Sequence, residues 1–266
     1  MNLKQKYGNW ALITGASSGI GMEFARKFAG EGIDLILVAR RKERLEALAA
    51  ELEKENNINV ITAPIDLSKD NFLEKLVDQI GDRQVDILVN NAGFGSNGLF
   101  ITRDSAHETA MIKVNCIAPT VLTHHFAPLM TARRKGAIIF LGSVVAFQPT
   151  PFMATYAATK AFNLLLGEAL WYELKQNNVE VLTLNPGGTA TEFQRIADSS
   201  TGPVPRTTEQ VVNTAMKALG KKISVVDGLY NKALTFLPRF GSRKLVVNGA
   251  GIITKTLYRK KKIGKS

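Results

Sequence analysis

TGASSGIG, residues 14–21, lies between an apolar run and an amphipathic one. Glycine lets the chain turn tightly and lets backbone amides approach a phosphate, whose charge the next helix N-terminus stabilises. The spacing G-x-x-x-G-x-G differs from the commoner G-x-G-x-x-G, but the order of strand, glycine turn and helix is the required one. An ordinary connection seldom needs three glycines, so the stretch predicts a dinucleotide site. The residues predicted to contact the dinucleotide here are Gly15, Ser17, Ser18, Gly19, Ile20 and Gly21.

Outward from this stretch, the first 228 residues alternate short apolar runs with amphipathic ones. The predicted strands are WALITG (10–15), DLILVAR (34–40), NVITAPID (59–66), VDILVNNAG (85–93), GAIIFLGS (136–143), VEVLTLNPG (179–187) and KISVVDG (222–228). Most are nearly continuous apolar runs, as in strands that a parallel sheet buries on both faces. Helical patterns such as 42–55 and 71–80 lie between them. This alternation predicts a single doubly wound, Rossmann-type α/β domain over residues 1–228, with about seven parallel strands flanked by helices on both faces.

The composition limits the remaining possibilities. A chain of 266 residues suits one large domain, and the single Cys116 excludes an internal disulfide, which fits a reducing compartment. The three histidines form no cluster with metal-ligand spacing, so we predict no metal site. The opening residues MNLKQKYGNW lack the apolar core of a secretory signal, and no run reaches the ~18 apolar residues of a membrane span. We therefore expect a cytoplasmic protein.

The end of the second predicted strand indicates which dinucleotide is bound. An acid there would bind a free ribose 2′-hydroxyl, whereas an arginine nearby would bind a 2′-phosphate. The strand ends in LVARR, with no acid and with Arg40 and Arg41 in sequence. A guanidinium group matches a phosphate, so the pattern favours NADP(H) over NAD(H). The alternative is that both arginines are solvated residues at the start of the next helix.

Three further strand ends carry candidate ligands. Asp66 and Leu67 end the third strand, where the carboxylate can accept a hydrogen bond from an adenine amino group or, equally well, cap the following helix. NNAG (90–93) ends the fourth strand, with a glycine where the backbone passes close to a ligand. NPGGTAT (185–191) ends the sixth strand. In such sheets ligands bind beyond the carboxyl ends of the strands, so we expect these positions to converge on one cleft.

Tyr156 and Lys160, in YAATK, stand four residues apart, so on a helix they share one face. The simplest interpretation is an amphipathic helix whose lysine extends its charge to solvent. The alternative is chemical, because an ammonium about 5 Å from a phenol, at an effective dielectric near 20, stabilises the phenolate by roughly 3 kcal/mol. That interaction would lower the tyrosine pKa by about two units, to near 8, and make the phenol a usable acid and base.

Six motifs occur in order over residues 8–228, and together they resemble the classical short-chain dehydrogenase/reductase family. They are TGASSGIG, NNAG, Asn115 in KVNCIAP, Ser143, YAATK and NPGGTAT, with Ser143 at the customary 13 residues before Tyr156. Within the family, FQPTPFMATYAATKAF (147–162) and the basic C-terminus are similar to bacterial members related to hydroxysteroid and 3-ketoacyl reductases. The resemblance also implies a homodimer or homotetramer formed through central helices, near residues 105–130 and 155–176.

The resemblance implies that the catalytic residues are Asn115, Ser143, Tyr156 and Lys160. Tyr156 is then the proton donor or acceptor, and Lys160 lowers its pKa and holds the nicotinamide ribose. Ser143 orients the substrate carbonyl or hydroxyl, and Asn115 maintains a helix kink and a water that feeds the proton relay. The further cofactor contacts that the resemblance implies are Asn91, Ala92, Gly93, Pro186, Gly187, Thr189 and Thr191, besides Tyr156 and Lys160.

These features predict an NADP(H)-dependent oxidoreductase that transfers a hydride between the nicotinamide and a carbonyl or secondary alcohol. The alternative is a non-catalytic NADP(H)-binding sensor or scaffold, which has no need of all four catalytic residues. No charged group is obviously placed to hold an acidic substrate, so we expect an apolar ketone or alcohol, such as a lipid or acyl compound. We expect the lid in EFQRIADSSTGPVPRT (192–207). The residues predicted to line the substrate pocket are Phe94, Phe147, Phe152 and Phe193.

Residues 229–266 form a predicted basic amphipathic C-terminal extension. From Lys221 onward the chain has 12 basic residues and one acid, whereas the first 220 residues have 22 of each. Gly249 and Gly251 weaken any single long helix through the extension. A basic amphipathic segment can lie on an anionic membrane, where five terminal cations add roughly 5 kcal/mol at most. The alternatives are a packed extension with a solvated lysine run, or nucleic acid, against which the lack of a regular aromatic array argues.

Overall fold

One parallel β-sheet forms the centre of the protein. The structure, a computed structural model, describes residues 3–193, 197 and 204–263, with side chains up to residue 256. Within this part the strands are Trp10–Thr14 (β1), Asp34–Ala39 (β2), Val60–Pro64 (β3), Ile87–Asn90 (β4), Gly136–Leu141 (β5), Val179–Asn185 (β6) and Ser224–Val226 (β7). They lie in the order β3-β2-β1-β4-β5-β6-β7, and every neighbouring pair is parallel. Each strand falls within a predicted apolar run, so the predicted sheet is confirmed.

Helices cover both faces of this sheet, as predicted. Their bounds are Leu3–Tyr7 (α1), Gly19–Ala29 (α2), Lys42–Asn56 (α3), Phe72–Ile80 (α4), Ser105–Ile112 (α5), Ala118–Arg133 (α6), Ala154–Leu174 (α7), Thr208–Ala218 (α8), Leu229–Phe236 (α9) and Arg243–Ile263 (α10). One apolar core joins the sheet to α2, α3 and α8, and a second core joins its other face to α4, α6 and α7. The chain therefore has the three-layer arrangement of α/β proteins.

The continuous apolar runs become strands because both of their faces are buried. Ile13 and Leu37 belong to the core under α2, whereas Leu12 and Ile36 belong to the opposite core. Successive side chains of a strand point to opposite faces, so each run supplies both cores at once. Each fully buried side chain of this size contributes about 1.5–3 kcal/mol to the folded state.

The strand order reverses beside β1, and this point positions the functional site. The chain passes from β1 outward to β2 and β3 and then returns to β4 on the other side of β1. Connections that leave in opposite directions open a crevice at the carboxyl ends of the strands. Thr14, at the end of β1, lies directly before the glycines of the turn. Asn90, at the end of β4, is the first residue of NNAG.

The helix expected near residues 105–130 is divided in two. A π-helical turn, Lys113–Ile117, separates α5 from α6 and contains the fully buried Asn115. The Asn115 Nδ2 donates to the carbonyl oxygen of Phe94 at 2.9 Å, and the Phe94 amide donates to Asn115 Oδ1 at 3.1 Å. A single π turn within a helix is rare and is frequent at functional sites. The asparagine therefore ties the bend in the helix to the end of the fourth strand.

In the C-terminal extension, α9 is followed by a 3₁₀ turn and then by the long helix α10, although the sequence predicts that Gly249 and Gly251 weaken any single long helix there. Helix α10 continues through Gly249 and Gly251 to Ile263. A Cβ at Gly251 would lie 3.4 Å from Pro151 Cγ, so the glycine brings the helix close to the segment before α7. Packing of this kind overrides a helix propensity that costs only about 1 kcal/mol per glycine. The boundary after residue 228 stays a prediction, and α9 begins directly there.

Among the described helices, none has both the length and the hydropathy that crossing a membrane requires.

Candidate active site

A cavity of about 280 Å³ lies at the carboxyl ends of the central strands. Its wall includes twelve residues of the glycine turn, of NNAG and of NPGGTAT, which are Gly15, Ser18, Gly19, Ile20, Asn91, Ala92, Gly93, Pro186, Gly187, Gly188, Thr189 and Thr191. The same wall includes Ser143, Tyr156 and Lys160. The sequence motifs, which are up to 176 residues apart, therefore meet in one place.

The glycine turn is shaped for close approach to a phosphate. Gly15 and Gly19 have φ angles of 69° and 60°, a left-handed conformation that other residues rarely adopt. A Cβ at Gly21 would lie 2.4 Å from the Asn91 Nδ2, so this position also requires glycine. Helix α2 begins at Gly19 and directs its N-terminus toward the turn. These features fit the pyrophosphate of a dinucleotide.

Thr14 connects NNAG to the first strand through hydrogen bonds. Its hydroxyl accepts hydrogen bonds from the amides of Asn91 and Ala92, at 3.0 and 2.9 Å, and donates to the Val89 carbonyl at 3.1 Å. The Asn91 Nδ2 also donates to the Thr14 carbonyl at 2.7 Å. Asn91 therefore lines the cavity and also connects NNAG to the first strand by hydrogen bonds.

Arg41 contacts the glycine turn. Its Nη2 donates to the hydroxyls of Ser17 and Ser18 at 2.9 Å each, and its Nη1 pairs with Glu192 at 2.8 Å. Arg44, one helical turn further, pairs with the same carboxylate at 2.9 Å. Hydrogen bonds from Arg41 and then Arg44 lower the pKa of Glu192 to about 2. Of the two arginines predicted to bind a phosphate, Arg41 is thus bonded to the turn.

The other residues predicted for the adenosine end lie outside the cavity wall. Arg40 is exposed, and its charge acts on Asp66. The Asp66 carboxylate accepts hydrogen bonds from the amide and hydroxyl of Ser68, at 3.0 and 2.8 Å. Burial alone would raise the Asp66 pKa, but these bonds lower it. Leu67 is buried in the core. Asp66 also does not cap α4, which begins at Phe72, six residues later.

Tyr156 and Lys160 are both buried in the first turns of α7. The Lys160 Nζ lies 5.8 Å from the Tyr156 ring centre and donates to the Leu141 carbonyl at 2.7 Å. Burial lowers the pKa of Lys160 to about 8. Burial also raises the pKa of Tyr156 above its ordinary value, although a hydrogen bond with Ser143 opposes the rise. The expected tyrosine pKa near 8 is therefore wrong for this structure, because the Coulomb argument left out desolvation.

Asn115 lies beside this pair. Its Nδ2 donates to the Thr159 hydroxyl at 3.0 Å, and Thr159 directly precedes Lys160 in α7. A Cβ at Gly93 would lie 3.0 Å from Asn115 Oδ1 and 3.5 Å from the Lys160 Nζ, so glycine lets the three approach. Asn115 does not line the cavity itself. Its described contacts hold the π turn, NNAG and α7 together.

Part of the cavity wall is apolar. These residues, here called the apolar end of the cavity, are Val144, Val145, Met153 and Phe193, and the Phe193 ring lies 5.3 Å from the Tyr156 ring, centre to centre. Among the described residues of the whole wall, Lys160 is the one charged side chain.

Three of the four phenylalanines predicted for the substrate pocket do not line this cavity. Phe94 packs edge-on against the His107 ring at 5.1 Å, and Phe147 ends a 3₁₀ segment that α9 covers. Phe152 has a φ of 66°, and its carbonyl accepts a hydrogen bond from Gly98. Closeness of an aromatic residue to a motif in the sequence is therefore a weak predictor that it lines the cavity. Most of the predicted lid, residues 194–196 and 198–203, lies outside the described residues.

The structure also adds residues that the sequence did not indicate. Asn97, Met153 and Thr254 line the cavity, and Arg44 and Glu192 extend the arginine cluster. The helical spacing of Arg41 and Arg44 is a signal that could have found the second arginine. Thr254 carries no such signal, because it reaches the cavity only through the packing of α10.

A glycine-lined dinucleotide cleft that ends at a buried tyrosine–lysine pair defines a nicotinamide-dependent oxidoreductase. The chain belongs to the short-chain dehydrogenase family, whose model matches residues 9–201. Members of this family interconvert alcohols and carbonyl compounds, as the resemblance implied.

Individual relatives extend this comparison. The chain is 33% identical to a 7beta-hydroxysteroid dehydrogenase of Clostridium sardiniense, over 87% of this chain and 90% of that protein. It is 38% identical to a very-long-chain 3-oxoacyl-CoA reductase of Neurospora crassa, over 66% of this chain and 54% of that protein. A short-chain dehydrogenase from Sphingobium yanoikuyae, solved in complex with NADPH, is 36% identical and superposes with a TM-score of 0.77, covering 82% of this chain and 87% of that one.

Proposed function

We propose that the protein is an NADP(H)-dependent reductase of an apolar ketone, with Tyr156 as the proton donor. The observation that carries this proposal is the buried Tyr156 phenol, which faces the apolar end of the cavity and lies within hydrogen-bonding reach of Ser143. Bound NADPH supplies the hydride in this chemistry. The protein contributes binding, orientation and the proton.

The proton step follows from the burial of the phenol. Hydride addition turns the carbonyl oxygen into an alkoxide, which takes the Tyr156 hydroxyl proton as it forms. A raised pKa keeps the phenol protonated at neutral pH, and an alkoxide is a far stronger base than a phenolate, so the transfer is still downhill. Ser143 orients the carbonyl, and Lys160 compensates the phenolate that remains. Burial of Tyr156 thus keeps the phenol in the protonated form that reduction of a ketone requires.

The cofactor contacts rest on the shape and charge of the cleft. The left-handed glycines Gly15 and Gly19 and the N-terminus of α2 suit a pyrophosphate. Arg41 and Arg44 place two guanidinium groups beside the glycine turn, where they would hold a 2′-phosphate. Thr189, Thr191 and the backbone around Gly187 line the opposite wall, where they would hold the nicotinamide end. The relative solved with NADPH supports this assignment.

An apolar substrate is supported by the same wall. Beyond Lys160, its described side chains carry no charge that would bind a carboxylate or phosphate of a substrate. The two relatives are named for a steroid and for a very-long-chain 3-oxoacyl-CoA, whose steroid skeleton and long acyl chain are apolar, whereas the CoA group is charged. We propose a ketone of this bulky class.

The assembly and location form a separate part of the proposal. Helix α7 exposes Phe162, Leu165 and Tyr172 along one face, and a second copy would cover them in a homodimer or homotetramer. We also propose a cytoplasmic protein that reversibly contacts anionic membrane through its basic C-terminus.

A ketone panel with NADPH tests the enzymatic activity. We expect an apolar ketone to be reduced, and Tyr156→Phe to lower the turnover by about 10²–10⁴-fold while cofactor binding persists. Tyr172→Phe is the matched control, because it removes an exposed phenol from the same helix. If no ketone is turned over at a rate that depends on Tyr156, a cofactor-binding role without catalysis replaces the proposal.

A further inference from the structure

Three segments line the cavity and are joined to one another by direct contacts. Asn97, Met153 and Thr254 each line the cavity and come from distant parts of the chain. The Gly98 amide donates to the Phe152 carbonyl at 2.8 Å, which joins the first segment to the second. Gly251 packs on Pro151, which joins α10 to the same place. The outer surfaces of these segments therefore surround one end of the substrate cavity.

The segment after Gly98 ends in an exposed apolar tip. Leu99, Phe100 and Ile101 follow in sequence, and Phe100 and Ile101 are 64% and 89% exposed. A short 3₁₀ turn, Phe100–Thr102, holds them on the surface. Large apolar side chains at such exposure are uncommon as a contiguous group on a monomeric protein, and they mark a contact surface.

Helix α10 presents a second apolar surface on its outer side. Leu245 and Ile252 are 67% and 69% exposed and stand seven residues apart, so they share one face. Gly251 and Thr254 lie on the opposite face, against the body of the protein. The helix thus packs one face against the body of the protein and presents an apolar face to solvent. An ordinary surface helix has a polar outer face.

The charge beside this outer face has one sign. Lys244 and Lys255 are eleven residues apart, about three helical turns, so both lie on the same flank of the stripe formed by Leu245 and Ile252. The chain from Lys221 onward carries 12 basic residues against one acid. Apolar side chains bordered by cations complement a surface that is apolar beneath and anionic above.

We propose that this rim, defined as Leu99–Ile101 together with the outer face of α10, docks on an anionic phospholipid bilayer and turns the substrate cavity toward it. An apolar ketone dissolved in the bilayer then reaches Tyr156 along the inner face of α10, without passing through water. The inference rests on the proposed reduction of an apolar ketone. It adds the surface involved and the source of the substrate.

Binding of the full-length protein to vesicles tests the rim directly. The probes are phosphatidylcholine vesicles with and without phosphatidylglycerol. We expect binding to the anionic vesicles that weakens with salt. The triple variant Ile101→Glu, Leu245→Glu, Ile252→Glu should bind them at least about tenfold more weakly. All three side chains are exposed and outside the cavity wall, so reduction of a small water-soluble ketone should not change.

The matched control is Ile223→Glu, compared with Ile252→Glu alone so that each variant gains one negative charge; Ile223 is a partly exposed isoleucine before β7, at the opposite end of the sheet. This control should bind vesicles like the wild type. Equal loss in both variants, equal binding to neutral vesicles, or a change of oligomeric state without a change in vesicle binding would each overturn the inference. If vesicles bind as expected but no ketone is reduced, the docking surface stands and the proposed activity fails.

Discussion

Burial shifts the pKa of both titratable side chains in the described cavity wall. Tyr156 and Lys160 are 7% and 5% exposed, and burial favours the neutral form of each. A neutral phenol is the form that donates a proton, as the proposed reduction requires of Tyr156. The lysine retains a pKa of about 8, so it stays largely charged at neutral pH, next to the phenolate that the proposed reaction would leave.

The lowered pKa of Lys160 predicts a pH-dependent stability difference between the wild type and Lys160→Met. Its pKa is about 8 in the folded protein and 10.5 in the unfolded chain, so between these values the unfolded chain binds more protons. The burial cost is complete below pH 8 and disappears as the pH rises to 10.5. The free energy of unfolding of the wild type should therefore rise relative to the variant, by on the order of 3 kcal/mol.

Urea denaturation of both proteins across this pH range measures the difference. Methionine keeps the length of the side chain and its packing, so the fold should survive the change. A difference that stays constant with pH would contradict the burial of a charge at this position.

The pairing of Glu192 with Arg41 and Arg44 predicts an effect on cofactor choice. If these arginines hold a 2′-phosphate, the Glu192 carboxylate competes with it for the same guanidinium groups. Glu192→Gln should therefore strengthen NADPH binding by about two- to fivefold, the range for a partly exposed ion pair, and leave NADH binding unchanged. Fluorescence titration with both cofactors gives the comparison.

Glu46→Gln is the control for this titration, because Glu46 pairs with Lys42 on α3. An equal change for NADPH and NADH would show that Glu192 acts on the segment as a whole and not on the phosphate position.

For single residues, the sequence indicated most of the candidate site. It did not show which of two neighbouring residues would contact the glycine turn. Glycines at positions with a left-handed φ or a close contact can be predicted from the sequence, since no other residue fits there. Whether Arg40 or Arg41 reaches the glycine turn depends on where β2 ends and how α3 begins, and the sequence leaves both open. The protonation of Tyr156 depends on burial, which a pairwise charge argument cannot supply.

Among the secondary-structure elements, the segment after β6 is held by hydrogen bonds and an ion pair from residues further along the chain, here called the anchor. Arg206 pairs with the fully buried Asp227 at 2.9 and 3.1 Å, and its backbone bonds to Gly188 and Ala190. The Thr214 hydroxyl also donates to Asp227, at 2.6 Å. The cavity wall around Gly188 is thus held in place by a buried ion pair.

Asp227→Ala tests this anchor. The substitution leaves the Arg206 guanidinium, whose side chain is 29% exposed, without its carboxylate, and we expect the free energy of unfolding to fall by about 1.5–3 kcal/mol, the range for hydrogen bonds to a charged group. Cofactor binding should weaken as well, because the wall at Gly188 loses its support. Thermal or urea denaturation and a cofactor titration measure the two effects.

Glu51→Ala provides the comparison, since it breaks an exposed pair with Arg26 and should cost less than about 1 kcal/mol. Similar costs for the two substitutions would show that the Asp227 pair is not an anchor.

The strands could be predicted because a short, continuous apolar run in an alternating α/β pattern indicates a strand that is buried on both faces of a parallel sheet. The C-terminal helix was not, because its two glycines argue against it locally and only the contact between Gly251 and Pro151 explains it. The π turn around Asn115 also leaves no trace in the periodicity. Tertiary contacts set both features, and a single sequence does not display them.

For the whole molecule, the exposed apolar face of α7 predicts an oligomer. Phe162, Leu165 and Tyr172 follow helical spacing and are at least 40% exposed. A glutamate at Leu165 would place a charge within a buried interface, so Leu165→Glu should convert the oligomer into a monomer. Sedimentation velocity measures the change, and Ile223→Glu serves as the control. A wild type that is monomeric at micromolar concentration would contradict the prediction.

In the proposed reaction, NADPH bound in the cavity gives a hydride to an apolar ketone while Tyr156 supplies the proton. The most direct measurement uses NADPH deuterated at the nicotinamide C4, with mass spectrometry of the alcohol product. The wild type should place one deuterium on the carbinol carbon. Tyr156→Phe should bind the cofactor and form almost no labelled alcohol. Tight NADPH binding by the wild type without labelled alcohol from any apolar ketone would contradict the proposal.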